Sequence, residues 1–360
     1  MAEVRKNRHG WFSRLTFGTA ALIVAGLLLL SYASVFVNPA KAWFFTLLGL
    51  LFVPLFLLTL FFFVWACTRR SRLAGFLAVL LLPAFLLAGK YYQFKAPEAE
   101  REPTLKVVSY NVGLFAHGDQ DDRRLVLADS VAAFLRGTQA DMICLQEFYL
   151  PNTLNLDAWF RDRFPGYRAD YFVFTGPNGH AGNVTLSRRP VLYKGKIEFD
   201  KSTNLALYTD IRLDSTVLRV YNCHFESYNI SPAGVVRSLS HADDEAVEDT
   251  GRKMRRSILQ RPQQVDAVIR DVDECPVRSV VLGDFNDNPL SYTVHRLSRG
   301  RKDTFVEAGK GFGATYRTLW PFLRIDYILY PRDLQAVSYE VPRVRYSDHY
   351  PVIATYYEKR

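Results

Sequence analysis

"VVLGDFNDNP", at residues 280–289, begins as an apolar strand and stops abruptly in polar residues. Gly283 gives the backbone freedom at the point of change. Asp284 and Asn286 follow two positions apart, and residues with that spacing in an extended chain point to the same side. The segment therefore predicts a strand end that aims one carboxylate and one amide in the same direction.

Polar side chains occur in the same way at other predicted strand ends. They are Asn111 after "TLKVVSY", Glu147 after "DMICL", His224 at the end of "TVLRVYNCH", and Asp348 and His349 before "YPVIATY". In stacked sheets several strand ends can converge on one rim. Such a set of donors is rich in oxygen and free of thiolates, which suits a hard cation such as Mg²⁺ or Mn²⁺ better than structural zinc.

The residues after the N-terminal region predict one α/β domain. Short strands alternate with occasional helices, and residues 204–213 and 216–225 flank Asp214 as a hairpin. Helical spacing is found at 123–137 and at 253–272, where Pro262 is expected to kink or break the helix. Residues 287–289 fit a helix N-cap followed by proline at the first helical position.

Six short motifs, in order, resemble the endonuclease/exonuclease/phosphatase superfamily, which includes deoxyribonucleases, AP endonucleases and neutral sphingomyelinases. They are "SYNV" (109–112), "LQE" (145–147), "NCHFES" (222–227), "GDFND" (283–287), "RIDYIL" (324–329) and "SDHYPV" (347–352). The resemblance implies a four-layer α/β/β/α sandwich that hydrolyses phosphate esters by in-line attack of water with a bound Mg²⁺ or Mn²⁺.

The resemblance also implies a role for each site residue. The implied metal ligands are Glu147, Asn111 and Asp348. The implied catalytic residues are Asp284 as the base, Asn286 as the residue that holds Asp284 or the phosphate, His349 and His224 as donors to phosphate oxygens, and Asp326 as the residue that orients His349. Asn183, in "AGNVTLSRRP", is a candidate phosphate contact.

One position departs from part of the family. Some AP endonucleases have an acid two residues after the first asparagine, and this chain has Gly113 there. That difference disfavours repair of AP sites more than it disfavours catalysis. The motifs report the chemistry and leave the substrate open.

The first hundred residues predict a membrane anchor. Apolar stretches at about 15–37 and 42–67 exceed the roughly 20 residues that cross a bilayer, and 73–89 is near the lower limit of about 17. Eleven of the 45 Lys and Arg residues, but only 4 of the 36 Asp and Glu residues, lie in 1–103. Most of the net charge of +9 thus belongs to this region. The rest of the chain is nearly balanced in charge, so its net charge does not favour nucleic acid as a substrate.

Basic residues in the flanking loops predict the topology. Four of them, Arg5, Lys6, Arg8 and Arg14, precede the first span, and Arg69, Arg70 and Arg72 lie between the second and third spans. Lys41 alone lies between the first and second. This excess of basic residues predicts an inner-membrane protein with its N-terminus in the cytoplasm and its catalytic domain on the periplasmic or extracytoplasmic side.

Together these features predict an anchor with three transmembrane helices at 1–92, a linker at 93–103 and a catalytic domain at 104–360. The predicted function is a metal-dependent phosphoesterase or phosphodiesterase, foremost a hydrolase of the endonuclease or exonuclease type, whose phosphodiester substrate is nucleic acid or a phospholipid headgroup. The alternatives are a sphingomyelinase-like phospholipid diesterase, a phosphatase of small phosphate esters, and an inactive membrane-tethered binding module. The lipid bilayer is the expected partner of the anchor, and nothing in the sequence predicts a protein partner.

Overall fold

Apolar helices form the N-terminal part of the chain. This computed structural model describes residues 2–94, 101–116, 121–228 and 244–359, and its first helices are α1 (Ala2–Ala33), α2 (Phe44–Leu50), α3 (Phe52–Thr68) and α4 (Leu73–Leu87). Within those residues, α1 and α4 are long and apolar enough to cross a membrane, whereas α2 and α3 are bent by 62° and add a third candidate only as one broken span. Two or three helices could therefore span a bilayer, where the sequence predicts three.

The strands begin directly after these helices. In chain order they are β1 (Tyr92–Gln93), β2 (Leu105–Asn111), β3 (Met142–Pro151), β4 (Arg168–Thr175), β5 (Gly179–Ser187), β6 (Val191–Glu198), β7 (Leu205–Leu213), β8 (Thr216–His224), β9 (Arg278–Asp284), β10 (Arg301–Asp303), β11 (Gly311–Phe312), β12 (Asp326–Pro331), β13 (Leu334–Glu340) and β14 (Val352–Glu358). The predicted hairpin is present, because β7 and β8 pair antiparallel around Asp214. Most of the predicted linker, residues 95–100, lies outside the described residues.

Two six-stranded sheets contain twelve of these strands. One sheet has the order β13-β14-β2-β3-β5-β4 and the other has the order β10-β12-β9-β8-β7-β6. Each is mostly antiparallel and holds one parallel pair at its centre, β2 with β3 and β8 with β9. The remaining strands, β1 and β11, form a separate antiparallel pair that joins the end of the N-terminal helices to the C-terminal part.

Five further helices in the described part of the chain cover the sheets. They are α5 (Asp121–Gly137), α6 (Leu156–Arg163), α7 (Asp244–Glu274), α8 (Tyr292–Leu297) and α9 (Thr304–Ala308). Pro262 does not break its helix, since α7 runs through it, and the kink that the sequence offers as the other outcome stays a prediction. Proline removes one backbone hydrogen bond there, but Val265 and Val268 are fully buried against a sheet on the following turns. Tertiary packing therefore holds the helix together.

Three apolar cores separate four layers. The central core joins the inner faces of the two sheets, with Val107 and Cys144 from one sheet packed against Val220 and Leu282 from the other. A second core lies between the first sheet and α5 and α6, and a third between the second sheet and α7 and α8. The domain is thus the predicted four-layer α/β/β/α sandwich.

Candidate active site

Strand pairing brings the polar strand ends together. His224, at the end of β8, and Asp326, at the start of β12, are both Cα partners of Asp284 at the end of β9. In the facing sheet Asn111 ends β2, and its side chain reaches across to Asp284. Carboxylate, amide and imidazole groups from both sheets therefore share one rim.

Asp284 is the centre of the hydrogen-bond network at this rim. Its Oδ2 accepts from Nδ2 of Asn111 at 2.9 Å and from Nδ2 of Asn286 at 3.2 Å, and its Oδ1 accepts from the main-chain N–H of Asn286 at 2.8 Å. The side chain is buried, and burial is the largest reason that the pKa of Asp284 rises to about 6. A carboxyl group with such a pKa can exchange a proton near neutral pH.

The backbone of the opening motif explains how Asp284 and Asn286 are aimed. Gly283 has φ 129°, and a Cβ there would lie 1.9 Å from the carbonyl oxygen of Cys223 on the neighbouring strand, so only glycine fits. Asn286 has φ 51°, in the left-handed region that asparagine tolerates better than most residues. Its Nδ2 also donates to the carbonyl oxygen of Phe225 at 2.9 Å, which fixes the turn to the next strand end.

Glu147 lies at an irregularity in β3. The pairing of β3 with β5 shifts register between Leu145 and Phe148, and Glu147 itself has φ 51°. A bulge of this kind re-aims a side chain, and bulges are frequent beside active sites. Oε1 of Glu147 accepts from Nδ2 of Asn111 at 3.0 Å. The bulge thus turns this half-buried carboxylate toward Asn111 and the other strand ends.

His349 and Asp326 form a buried pair. Nδ1 of His349 lies 3.0 Å from Oδ2 of Asp326, and its Nε2 lies 3.8 Å from Oδ2 of Asp284. Burial lowers the pKa of His349, but the carboxylates of Asp326 and Asp284 outweigh that effect and raise it to about 10. The ring of Tyr316 packs edge-on against the imidazole with centroids 5.3 Å apart. His349 is therefore held as a cation with Nε2 directed at the rim.

The donor atoms at the rim fit a divalent cation. Ligand atoms of Glu147, His224 and Asp284 lie within 4.8 Å of one another, as do those of Asp284, Asp326 and His349. Two buried atoms at this rim, Nε2 of His224 and Oδ1 of Asp326, have no hydrogen-bond partner in the described part of the chain. Unsatisfied buried polar atoms beside clustered carboxylates are what a hard cation and its substrate would complete.

Asp348 lies at the edge of this arrangement. Its Oδ1 accepts from Oγ of Ser347 at 3.1 Å, and it belongs to neither of the two clusters of ligand atoms. A Cβ at Gly113, where φ is 58°, would lie 3.1 Å from that oxygen. Gly113, where some AP endonucleases have an acidic residue, thus lies at a position where a side chain would strain the backbone and crowd Asp348.

A cleft of about 720 Å³ opens beside Glu147 and His224. Asn183 lines it, but its Nδ2 already donates to the carbonyl oxygens of Leu205 and Asn222. Lys201 and Arg256 are exposed cations that line the same cleft. The cleft therefore offers positive charge close to the carboxylates, as an anionic substrate requires.

Sequence reasoning missed the polar link between the two sheets beneath the rim. Nε2 of the buried Gln146 donates to Oδ1 of Asn222 at 2.7 Å, and Nδ2 of Asn222 donates to the carbonyl oxygen of Val184 at 2.9 Å. Gln146 lies in the motif LQE and Asn222 in the motif NCHFES. A polar residue in an otherwise apolar strand is the sequence feature that could have indicated this link. The link fixes the spacing of the sheets that carry Glu147 and His224.

The predicted N-cap at residues 287–289 is wrong. Ser291 caps α8 instead, with its Oγ accepting from the N–H of Val294. Asp287 is buried, and its Oδ2 lies 3.2 Å from Nη1 of the buried Arg261 on α7. An isolated buried carboxylate would be costly, and this ion pair explains the position of Asp287. Arg261, one of the basic residues of α7, is therefore a structural residue.

Comparison with known proteins agrees with this geometry. Residues 108–349 match the model of the Endonuclease/Exonuclease/phosphatase family, and residues 14–91 match that of a Domain of unknown function (DUF8431). A search of the curated proteins finds no match.

Solved structures share the fold at low sequence identity. An endonuclease/exonuclease/phosphatase from Bacteroides vulgatus is 18% identical, with 71% of this chain and 99% of that chain covered and a TM-score of 0.53. One from Beutenbergia cavernae is 17% identical, with 71% and 72% covered and a TM-score of 0.51. The catalytic domain of human Nocturnin, solved with a bound sulfate anion, is 16% identical, with 74% and 100% covered and a TM-score of 0.51.

The family model covers more than half of the chain, and all of the strand ends that meet at the rim lie within or at the border of the matched residues. The chain belongs to the endonuclease/exonuclease/phosphatase family, whose members are phosphoester hydrolases that generally use divalent metal ions.

Proposed function

We propose that this protein is a membrane-anchored phosphodiester hydrolase that depends on Mg²⁺ or Mn²⁺ and acts on nucleic acid. One observation carries the proposal: a buried Asp284, held by two amides, has the Nε2 atoms of His224 and His349 at 3.9 Å and 3.8 Å. One base between two donors is the arrangement that attack of water on a phosphodiester requires.

Each residue of the rim then has a distinct task. Asp284 accepts the proton of the attacking water, and its raised pKa keeps that transfer favourable near neutral pH. Asn286 and Asn111 fix the carboxylate by hydrogen bonds without adding negative charge. His349 donates from Nε2 to a nonbridging phosphate oxygen, and Asp326 keeps its imidazole protonated and oriented. His224, whose Nε2 lies 3.4 Å from Oε1 of Glu147, donates to the leaving oxygen.

Glu147, Asn111 and Asp348 would hold the metal ion. A bound divalent cation would neutralise the phosphate and stabilise the charge that develops on its oxygens. Asn183 would contact the substrate from the cleft, through its Oδ1 because its nitrogen is engaged. Arg256 and Lys201 would attract the flanking anionic groups of the substrate to the cleft.

We assign the domains as the sequence predicts them: an anchor at 1–92, a linker at 93–103 and a catalytic domain at 104–360. The loop at 69–72 has three basic residues, whereas the loop between the first two spans has only Lys41. This difference supports an inner-membrane protein with the catalytic domain on the periplasmic side. A reporter that fluoresces only in the cytoplasm, fused after residue 360, should stay dark. A bright fusion would contradict this topology.

Phospholipid is the second candidate substrate, and a specific contact favours it. Nζ of Lys90, just after α4, donates to the carbonyl oxygen of Pro289, five residues from Asp284. The active site is therefore held close to the end of an apolar helix, where lipid headgroups would be present if that helix crosses a bilayer.

The test uses the full-length protein in lipid nanodiscs with Mg²⁺. Plasmid DNA is one substrate, and vesicles of phosphatidylcholine and sphingomyelin are the other. Nicking of the plasmid that is lost with EDTA and with Asp284→Asn, but kept with the surface variant Asp129→Asn, would support the nuclease. Release of phosphorylated headgroups without nicking would move the assignment to the second candidate. Inactivity on both substrates and on small phosphate esters would contradict hydrolysis and favour the inactive binding module.

A further inference from the structure

Five aromatic residues form one exposed patch near the end of the N-terminal helices. We name Tyr92, Phe94, Phe312, Trp320 and Phe322 the aromatic patch. Phe94 is 87% exposed and Trp320 and Phe322 are each 50% exposed. Single exposed apolar residues are ordinary, but a group of large aromatic side chains that expose this much surface marks an interaction site.

The rings of the aromatic patch are in contact with one another. The ring of Tyr92 lies 5.0 Å from that of Phe94 and 4.9 Å from that of Phe312, between centroids. The ring of Phe312 lies 6.4 Å from those of Trp320 and Phe322. Three separate chain segments therefore build one continuous surface, and no local stretch of sequence could have revealed it.

The aromatic patch is fixed relative to the apolar helices. Tyr92 follows the end of α4 at Leu87 by five residues, and the pairing of β1 with β11 carries Phe312 to the same place. Tyr91 stacks on Phe52 of α3 with centroids 5.7 Å apart. The patch therefore cannot move independently of the helices that would cross the membrane.

The chemistry of the patch matches the headgroup region of a bilayer. Aromatic residues concentrate at that depth, where a ring finds apolar contact on one side and polar groups on the other. The guanidinium of the exposed Arg343 lies 5.1 Å from the ring centroid of Trp320, which adds a cation that anionic headgroups would favour.

We propose that the aromatic patch rests in the headgroup region of the bilayer and holds the catalytic domain in a fixed orientation on the membrane. This inference rests on the proposed membrane anchor. The lipid bilayer itself is the partner, and the patch extends the contact that the spanning helices make with it.

The patch also reaches the catalytic rim. The loop between β11 and β12 carries Trp320 and Phe322, and it also carries Tyr316, which packs against His349. In the same loop, the N–H of Arg317 donates to the carbonyl oxygen of Asp348 at 2.8 Å. A bilayer contact at Trp320 thus lies four residues from a ring that touches the catalytic imidazole, which places the rim near the membrane surface.

Quenching by brominated lipids tests the contact without using activity. Full-length protein is placed in nanodiscs of dibrominated or unbrominated phosphatidylcholine, and tryptophan emission is compared. Trp320→Phe should reduce the emission that bromine quenches. Trp159 is a buried residue of α6 that packs toward the first sheet, so Trp159→Phe should leave the quenched emission unchanged. Adding Phe94→Trp to the Trp320→Phe variant should restore a quenched component.

The outcomes separate this inference from the proposals on which it rests. If Trp320 is unquenched by brominated lipid but quenched by aqueous acrylamide, the patch lies in water and the proposal is overturned. Protection from both quenchers would assign the patch to a protein surface, also against it. If brominated lipid does not quench Trp65 of α3 either, the proposed membrane anchor itself is overturned. None of these results depends on whether the protein hydrolyses a phosphodiester.

Discussion

Oγ of Ser34, just after α1, lies 3.0 Å from the carbonyl oxygen of Leu290 and shares its one hydrogen between that oxygen and the carbonyl oxygen of Ser31, at 2.6 Å. Leu290 follows Asp284 of the candidate active site by six residues and is fully buried among side chains of the apolar helices, including Leu28 and Phe52. The N-terminal helices therefore pack on the main chain that leaves the candidate active site. A tether alone would need no such contact.

A methyl group added at the closest point of this contact should weaken it. Gly49 of α2 approaches so closely that a Cβ would lie 2.5 Å from Oγ of Ser34 and 3.4 Å from the oxygen of Leu290. Overpacking typically costs about 1–3 kcal/mol, so we expect Gly49→Ala to lower the apparent melting temperature and the activity of the full chain. Gly26→Ala on α1 is the matched control, since nothing lies within 4 Å of its Cβ. Equal behaviour of the two variants would argue against a tight contact.

Loss of the carboxylate at Asp326 should act through His349. Asp326→Asn removes the partner of Nδ1, so we expect kcat to fall by roughly 10²-fold with a smaller change in KM, the size of a typical general acid–base contribution. The variant should also lose activity at a lower alkaline pH than the wild type, because this carboxylate helps to raise the pKa of His349. Unchanged alkaline behaviour would show that Asp326 is only structural. Asp129→Asn, in an exposed ion pair, should change neither quantity.

The wild-type activity should follow a bell-shaped dependence on pH. Burial raises the pKa of Asp284 to about 6, so the fraction of ionised base, and with it kcat/KM, rises as the pH passes through that value. The carboxylates around His349 raise its pKa to about 10, so its cationic donor is present below that pH and is lost above it. Measured kcat/KM between pH 4 and 11 would check both limbs. A rate that falls between pH 5 and 7 would contradict the assignment of Asp284 as the base.

Much of this fold follows from local pattern, and the remainder depends on contacts between distant residues. Strand ends such as Asn111 and Asp284 could be predicted, because apolar alternation and a glycine mark them within a few residues. The bulge that turns Glu147 could not, since it arises from pairing with another strand. The ion pair of Asp287 with Arg261 misled the interpretation of residues 287–289 for the same reason, because nothing near Asp287 in sequence reveals a partner on α7.

That ion pair gives a prediction about stability. Arg261→Ala would leave Asp287 as a buried, unpaired carboxylate and would remove the donors to the carbonyl oxygen of Glu226, so we expect a loss of about 3–5 kcal/mol in the free energy of unfolding. Arg252→Ala on the same helix removes only exposed pairs with Glu248 and Asp249 and should have no measurable effect. Denaturant unfolding of both variants checks this, and similar losses for the two would mean that burial of Arg261 is not the cause.

Metal binding can be measured apart from catalysis. A ligand that binds only the folded state stabilises it, by about 2.7 kcal/mol at a concentration 100 times its Kd, so Mn²⁺ should raise the melting temperature of the wild type. Glu147→Gln should remove most of this rise, because it replaces a half-buried carboxylate of the rim with an amide that coordinates a hard cation weakly. Glu226→Gln is a matched control in the same cleft, since its carboxylate is occupied by Ser202 and Gln264. If Mn²⁺ still raises the melting temperature of Glu147→Gln by the full amount, the metal binds elsewhere. Substitutions of Asp284 and Asp326 would then be the next variants to measure.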